Sequence, residues 1–214
     1  MTNKIIDIKK ATDLIKDGMT IMVGGFLGNG SPHKLIDALV EKGVSNLTLI
    51  CNDTAFTDYG VGKMVVTKQF EHIIASHVGT NRETGKQLNE GTTKVVLVPQ
   101  GTLAEQIRAG GAGLGGVLTP TGIGTIVEEG KEKIIIDNKE YLIEKPLRAD
   151  VAIIAGSIVD TFGNVYYEGS TRNFNPLMAT AADIVIVEAE EVVEAGMIKQ
   201  ENVVTPGMFV DYIV

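Results

Sequence analysis

Short apolar segments alternate with segments of helical periodicity along most of this chain. Thr20–Val23 and Leu47–Cys51 are apolar runs of strand length, and Leu35, Ile36 and Leu39 between them form a stripe at helical spacing. Further strand candidates lie at residues 73–78, 95–98, 151–155 and 184–187, and the first three are expected to be buried. This alternation predicts an α/β fold with a mainly parallel central sheet and helices on both sides.

The pattern changes between residues 110 and 143. Residues 134–136 and 141–143 are apolar runs separated by Asp137-Asn138-Lys139-Glu140, which predicts a small antiparallel hairpin inserted into the α/β fold. Residues 110–124 hold seven glycines, so no regular structure is expected there. This tract could be an active-site lid or a subunit contact. Its apolar side chains would be exposed in a lone chain: Leu114, Val117 and Leu118.

Composition excludes several function classes. The 214 residues carry a net charge of −8 and are 44% hydrophobic, which predicts one packed domain over residues 1–214 without a basic footprint for nucleic acid or an anionic membrane surface. No apolar run is long enough to span a membrane, and residues 1–10 lack the apolar stretch of a signal peptide. The single cysteine, Cys51, cannot form an internal disulfide, so we expect a cytoplasmic location.

A glycine-rich loop, Gly24-Gly25-Phe26-Leu27-Gly28-Asn29-Gly30, follows the first predicted strand. Such a loop before a helix can direct backbone N–H groups at an anion, although its glycines could serve only a tight turn. Ser31 is expected to cap the next helix, with Pro32 at its first position. A Walker A loop would need lysine in place of Ser31, and a dinucleotide fingerprint would need glycine in place of His33. Asp53 lies near the acidic position of that fingerprint, so a Rossmann-type dehydrogenase remains an alternative.

Two carboxamide side chains follow predicted strands, where ligands of α/β proteins bind. Gln100 follows residues 95–98, and Asn52 follows Leu47–Cys51. Each also has a local interpretation. Gln100 could brace the helix predicted to start at the capping box of Thr102 and Glu105, and Asn52 could bond to its own turn.

The other polar candidates receive structural interpretations. Glu188 belongs to an acidic run that is expected to be a solvated face, and we expect neither it nor Glu105 to be a nucleophile. His33 and His77 have no second ligand at metal spacing, so no metal site is expected. Cys51 ends an apolar strand and is expected to be a buried, unreactive thiol.

A longer string around the glycine loop is far more specific. Asp17-Gly18-Met19-Thr20-Ile21-Met22-Val23-Gly24-Gly25-Phe26-Leu27-Gly28-Asn29-Gly30-Ser31-Pro32 resembles the first signature of family I CoA-transferases. Other segments along the chain are similar to the α subunits of that family, in particular those of the acetate/acetoacetate/butyrate type: Asn52-Asp53-Thr54-Ala55, Ser76-His77-Val78-Gly79, Pro99-Gln100-Gly101-Thr102-Leu103-Ala104-Glu105, Ile107-Arg108-Ala109-Gly110-Gly111, Thr119-Pro120-Thr121-Gly122 and Arg172-Asn173-Phe174-Asn175-Pro176.

The resemblance implies a reaction and a partner. Enzymes of this family move CoA between an acyl-CoA and a short-chain carboxylate by a ping-pong route, through a glutamyl–CoA thioester on the β subunit. The nucleophilic glutamate lies in a Ser-Glu-Asn-Gly motif that this sequence lacks; Gln200-Glu201-Asn202-Val203 has neither the serine nor the glycine. The resemblance therefore implies a heteromer with a β subunit, active only when assembled. The acyl chain that it prefers stays open.

The resemblance also implies roles for individual residues. It places Gln100 beside the carbonyl oxygen of the reacting thioester, and it makes CoA a substrate, with no permanently bound cofactor. The implied CoA contacts are Gly24, Gly25, Phe26, Leu27, Gly28, Asn29, Gly30 and Asn52. The alternative of another class is a non-catalytic acyl-CoA or sugar-phosphate binding module with the same fold.

Overall fold

A parallel sheet forms the centre of the computed structural model, which describes residues 4–214. Its strand order is β11-β10-β8-β1-β2-β3-β4, every neighbouring pair on this path is parallel, and β9 pairs antiparallel with β8. The strands of this sheet are β1 (Thr20–Val23), β2 (Leu47–Cys51), β3 (Phe70–Ala75), β4 (Lys94–Leu97), β8 (Ala149–Asp160), β9 (Val165–Tyr166), β10 (Ala182–Val193) and β11 (Tyr212–Ile213). The predicted mainly parallel sheet is confirmed.

Helices cover both faces of this sheet, as predicted. They are α1 (Ile8–Asp13), α2 (His33–Lys42), α3 (Gly62–Val66), α4 (Arg82–Glu90), α5 (Gln100–Gly111) and α6 (Asn175–Thr180). Alternation along β1 explains the two layers, because Ile21 and Val23 enter one apolar core while Met22 enters the other. The first core includes side chains of α1, α2 and α3, and the second includes side chains of α5 and α6.

The direction of strand addition reverses at β1. The chain proceeds from β1 through β2 and β3 to β4 on one side, and β8, β10 and β11 lie on the other. Ligands of open α/β sheets bind beyond the carboxyl ends of the strands at such a reversal. The loop that follows β1 therefore lies where the topology favours a binding site.

A second, three-stranded antiparallel sheet has the order β5-β7-β6, with β5 (Val117–Thr119), β6 (Lys133–Ile136) and β7 (Lys139–Glu144). The β6–β7 pair confirms the predicted hairpin, and both turn residues, Asp137 and Asn138, have positive φ. The prediction of no regular structure in residues 110–124 is wrong, because β5 pairs with β7 there. Leu114 and Leu118 are exposed as expected, whereas Val117 is half-buried.

Two predicted helix starts are wrong. The Ser31 hydroxyl donates to the Gly24 carbonyl, and α2 is capped instead by the Glu188 carboxylate, which accepts from the backbone N–H groups of Lys34 and Leu35 at 3.2 and 2.8 Å. Helix α5 begins at Gln100 with no side-chain cap, so Thr102 lies inside it. Sequence spacing reveals only local caps. It could not show that Glu188, 153 residues from Leu35, caps α2, or that α5 starts before Thr102.

Strand β4 is also less buried than predicted. It is the last strand on its side of the sheet, and Val96 and Leu97 on it are exposed. The other strand predictions shift or lengthen by a few residues; for example, the strand expected at 73–78 is Phe70–Ala75. None of the helices in residues 4–214 is both long enough and apolar enough to cross a membrane.

Candidate active site

A cavity of about 580 Å³ opens at the carboxyl edge of the sheet. Four of the nine predicted site residues line it: Phe26, Asn29, Asn52 and Gln100. The remaining five do not: Gly24, Gly25, Leu27, Gly28 and Gly30. The rest of the wall consists of Gly169, Ser170, Arg172, Asn173 and Phe174. The sequence analysis assigned these residues no role, although Arg172-Asn173-Phe174 was among the segments that resembled the family.

Gln100 and Asn52 form one hydrogen-bonded cluster with Ser76. Gln100 Nε2 donates to Asn52 Oδ1 at 2.9 Å, and the Ser76 hydroxyl lies 2.9 Å from the same oxygen and 2.7 Å from the Asn52 carbonyl. Asn52 is 3% exposed, whereas Gln100 is exposed as the first residue of α5. The buried asparagine thus orients a carboxamide that keeps its second N–H available at the cavity.

The backbone amides of residues 24–30 are mostly used inside the protein. Gly24 donates to the Ile153 carbonyl, Gly25 to Asn173 Oδ1 and Leu27 to both oxygens of Asp53. Phe26 and Asn29 exchange backbone hydrogen bonds across a tight turn. Of the seven loop amides, only those of Gly28 and Gly30 have no acceptor within residues 4–214. The expectation that the loop N–H groups are free to bind a ligand is therefore wrong at five of the seven positions.

Asp53 fixes this loop from the neighbouring strand end. It is 3% exposed, and its carboxylate accepts from Leu27 at 3.0 and 3.1 Å and from Ala55 at 2.7 Å. Burial raises the pKa of Asp53, an effect that these two backbone donors and the charge of His77 oppose. Burial of Cys51 itself, with the nearby Asp53 charge, raises the pKa of its thiol, and the predicted burial of Cys51 is confirmed.

The glycines of the loop permit close packing. Gly28 has φ +83°, and a Cβ there would overlap the ring of Tyr59, which belongs to a similar turn after β2. A Cβ on Gly24 would overlap the Asn175 side chain. These two glycines are thus required by the contacts of the loop with residues 56–59 and with α6, which supports the tight-turn interpretation.

The remaining candidates lie outside the cavity. Glu105 pairs with Arg108, with its Oε2 at 2.7 Å from Arg108 Nε, and Glu188 caps α2, so neither lines the cavity. His33 stacks on Tyr59 with ring centroids 4.4 Å apart. In residues 4–214, no three or more His, Cys, Asp or Glu side chains are grouped so that they could hold a metal ion.

Known proteins match nearly the whole chain. The coenzyme A transferase family matches residues 5–214. The chain is 56% identical to the acetate CoA-transferase subunit alpha of Escherichia coli K12, over all of this chain and 97% of that one. It is 54% identical to the acetoacetyl-CoA:acetate/butyrate CoA transferase alpha subunit of Clostridium acetobutylicum, over all of this chain and 98% of that one.

The fold recurs in solved structures. An acyl-CoA transferase from Escherichia coli O157:H7 superposes with a TM-score of 0.88 at 22% identity, over 99% of this chain and 47% of that chain, so the present chain spans about half its length. The family match over nearly all residues, with relatives this similar along their whole lengths, shows that the chain belongs to the coenzyme A transferase family.

Proposed function

We propose that this chain is the α subunit of a two-chain CoA-transferase that moves CoA between a short-chain acyl-CoA and acetate, butyrate or acetoacetate. The nucleophilic glutamate comes from a β subunit, and CoA enters as a substrate. The α-subunit names of the two full-length relatives support this assignment. The buried Cys51, the single cysteine, supports a reducing cytoplasmic location.

One observation supports the assignment of the nucleophile to the partner chain. The cavity holds a positioned carboxamide donor, Gln100, but none of the residues that line it is an aspartate or a glutamate. Asp53, which follows the cavity residue Asn52 in sequence, is buried and already accepts two backbone N–H groups. It is therefore not available to attack a thioester. This absence of an acid in the cavity supports an attacking carboxylate that enters from another chain.

The carboxamide of Gln100 fits the electrostatic demand of that attack. When a carboxylate attacks a thioester carbonyl, negative charge develops on the carbonyl oxygen, and one prepositioned donor is worth about 2.7–4 kcal/mol of activation energy. Gln100 Nε2 uses one N–H on Asn52, and the second can reach the developing oxyanion. The amino terminus of α5, where Gln100 lies, adds a favourable dipole.

Reconstitution tests the proposal. The chain is purified alone and together with a β-type chain that carries Ser-Glu-Asn-Gly, and each sample receives acetyl-CoA and butyrate. We expect butyryl-CoA only from the assembled pair. Exchange by the lone chain would contradict the need for a partner glutamate. Tight acyl-CoA binding by the lone chain, measured by calorimetry, with no exchange by any assembly, would favour the binding module.

A further inference from the structure

Arg172 is the one charged residue among those that line the cavity. It is exposed, and within residues 4–214 its side chain forms no ion pair and donates no hydrogen bond. Two other arginines, Arg108 and Arg148, form ion pairs with Glu105 and Asp183. In a chain of net charge −8, a guanidinium left without an acid at a cavity is available to an anionic ligand.

The turn that carries Arg172 is held on the glycine loop. Asn29 Nδ2 donates to Ser170 Oγ at 2.9 Å, and Asn173 Nδ2 donates to the Asn29 carbonyl at 3.1 Å. Asn175, which is fully buried, donates to the Gly30 and Thr171 carbonyls, both at 2.9 Å. The backbone on both sides of Arg172 is thus fixed relative to the cavity, which lowers the entropic cost of using its side chain for binding.

The surroundings of Arg172 match a small organic acid. Phe26 and Phe174 supply apolar walls, and Gln100 lies across the same cavity. CoA carries its phosphates at the far end of the pantetheine arm from its thioester, so a cavity that contains Gln100 receives the reacting end. There the acid attacks the glutamyl–CoA thioester as an anion, and a nearby cation stabilises its carboxylate at the cavity.

On the basis of the proposed function, we propose that the Arg172 guanidinium binds and orients the carboxylate group of the short-chain acid. Its planar fork suits a carboxylate, with the apolar tail of the acid directed towards the phenylalanines. Arg172 thereby selects the anionic form of the acid. It takes no part in the bonds that form and break.

Steady-state kinetics on the assembled enzyme test this inference. Arg172→Gln should raise the KM for the acid about tenfold to a hundredfold, because a hydrogen-bonded charge contact is lost. The KM for the acyl-CoA should change less than threefold, and Arg172→Lys should restore part of the loss. Arg148→Gln is the matched control, since Arg148 lies at the start of β8, at the opposite edge of the sheet, and should leave both KM values unchanged.

Several outcomes would overturn the inference about Arg172. A rise in the KM for the acyl-CoA alone would overturn the carboxylate assignment in favour of the CoA phosphates, and unchanged constants in a correctly assembled Arg172→Gln enzyme would overturn it outright. Should that variant fail to assemble, an Arg172→Lys enzyme with an unaltered KM for the acid would overturn it equally. Failure of the unaltered pair to exchange CoA would instead refute the proposed function, which separates the two tests.

Discussion

The loop of residues 24–30 and the carboxamide cluster of Asn52, Ser76 and Gln100 lie at the same edge of the sheet but use their polar groups in opposite ways. Five of the seven loop amides are bonded within the protein, and the loop glycines fit against neighbouring side chains. Gln100 instead exposes its carboxamide, while the buried Asn52 and the half-buried Ser76 hold it.

The difference shows that a glycine-rich signature is not itself a row of free donors. Phe26 and Asn29 of the loop form part of the cavity wall, and Gln100 supplies the donor at the cavity. We therefore expect substitutions in the cluster to reduce turnover with little loss of stability. Substitutions that disturb the loop should reduce stability first, and activity as a consequence.

Removal of the exposed carboxamide should have the largest effect. In the assembled enzyme, Gln100→Ala should lower kcat about 10²–10³-fold, because one oxyanion donor is lost, while the urea midpoint stays close to that of the unaltered protein. Gln200→Ala, which removes an exposed glutamine far along the chain, serves as the control. An unchanged kcat in Gln100→Ala would remove Gln100 from the chemistry.

The packing role of the loop can be separated from its backbone geometry. Gly28 and Gly43 both have positive φ, but only at Gly28 would a Cβ meet another side chain. Each alanine substitution should cost about 1–2 kcal/mol for the left-handed backbone, and Gly28→Ala should cost about 1–3 kcal/mol more through overlap with Tyr59. Urea denaturation followed by circular dichroism measures both. Equal losses in the two variants would show that Tyr59 does not restrict residue 28.

The Asp53 carboxylate provides a third test. Asp53→Ala leaves the amides of Leu27 and Ala55 without their acceptor and should cost about 1–3 kcal/mol. Asp53→Asn keeps an acceptor and should cost less.

Because burial raises the pKa of Asp53, its charge destabilises the folded chain progressively as the pH rises from the ordinary aspartate pKa through the raised value. Asp53→Asn should therefore gain stability relative to the unaltered chain over that interval, and a relative loss would contradict the direction of the shift.

The smallest expected effect concerns Ser76, which orients Asn52 without touching the substrate. Ser76→Ala should lower kcat about threefold to tenfold, in line with one neutral hydrogen bond, and leave the KM for the acyl-CoA nearly unchanged. Ser76→Thr keeps the hydroxyl and should recover most of the turnover. A Ser76→Thr enzyme as slow as Ser76→Ala would show that the hydroxyl is not what matters.

Local patterns predicted much of the sheet. β1 and β2 were correctly bounded, and the β6–β7 hairpin was placed by its turn, because apolar runs and turn residues act over a few neighbours. Features decided by distant parts of the chain were missed. Glu188 replaces Ser31 as the cap of α2, and β5 is stabilised by pairing with β7. Residues 170–175 are held beside the cavity by contacts with Gly25, Asn29 and Gly30.

The candidate site was predicted through resemblance more than through geometry. Gln100 and Asn52 were identified correctly as carboxyl-edge residues that line the cavity, but their direct hydrogen bond could not be read from residues 48 positions apart. Arg172 had no predicted role, since a lone arginine in a loop carries no local pattern. The role proposed for Arg172 depends on its place in the cavity, where no lining residue is acidic.

The location of the covalent intermediate is the most direct test of a site shared between two chains. The assembled enzyme is incubated with acyl-CoA in the absence of acceptor acid, and the intact masses of both chains are measured. We predict that CoA is added to the partner chain, while this chain keeps its unmodified mass. An adduct on any residue of this chain would contradict the assignment of a supporting role.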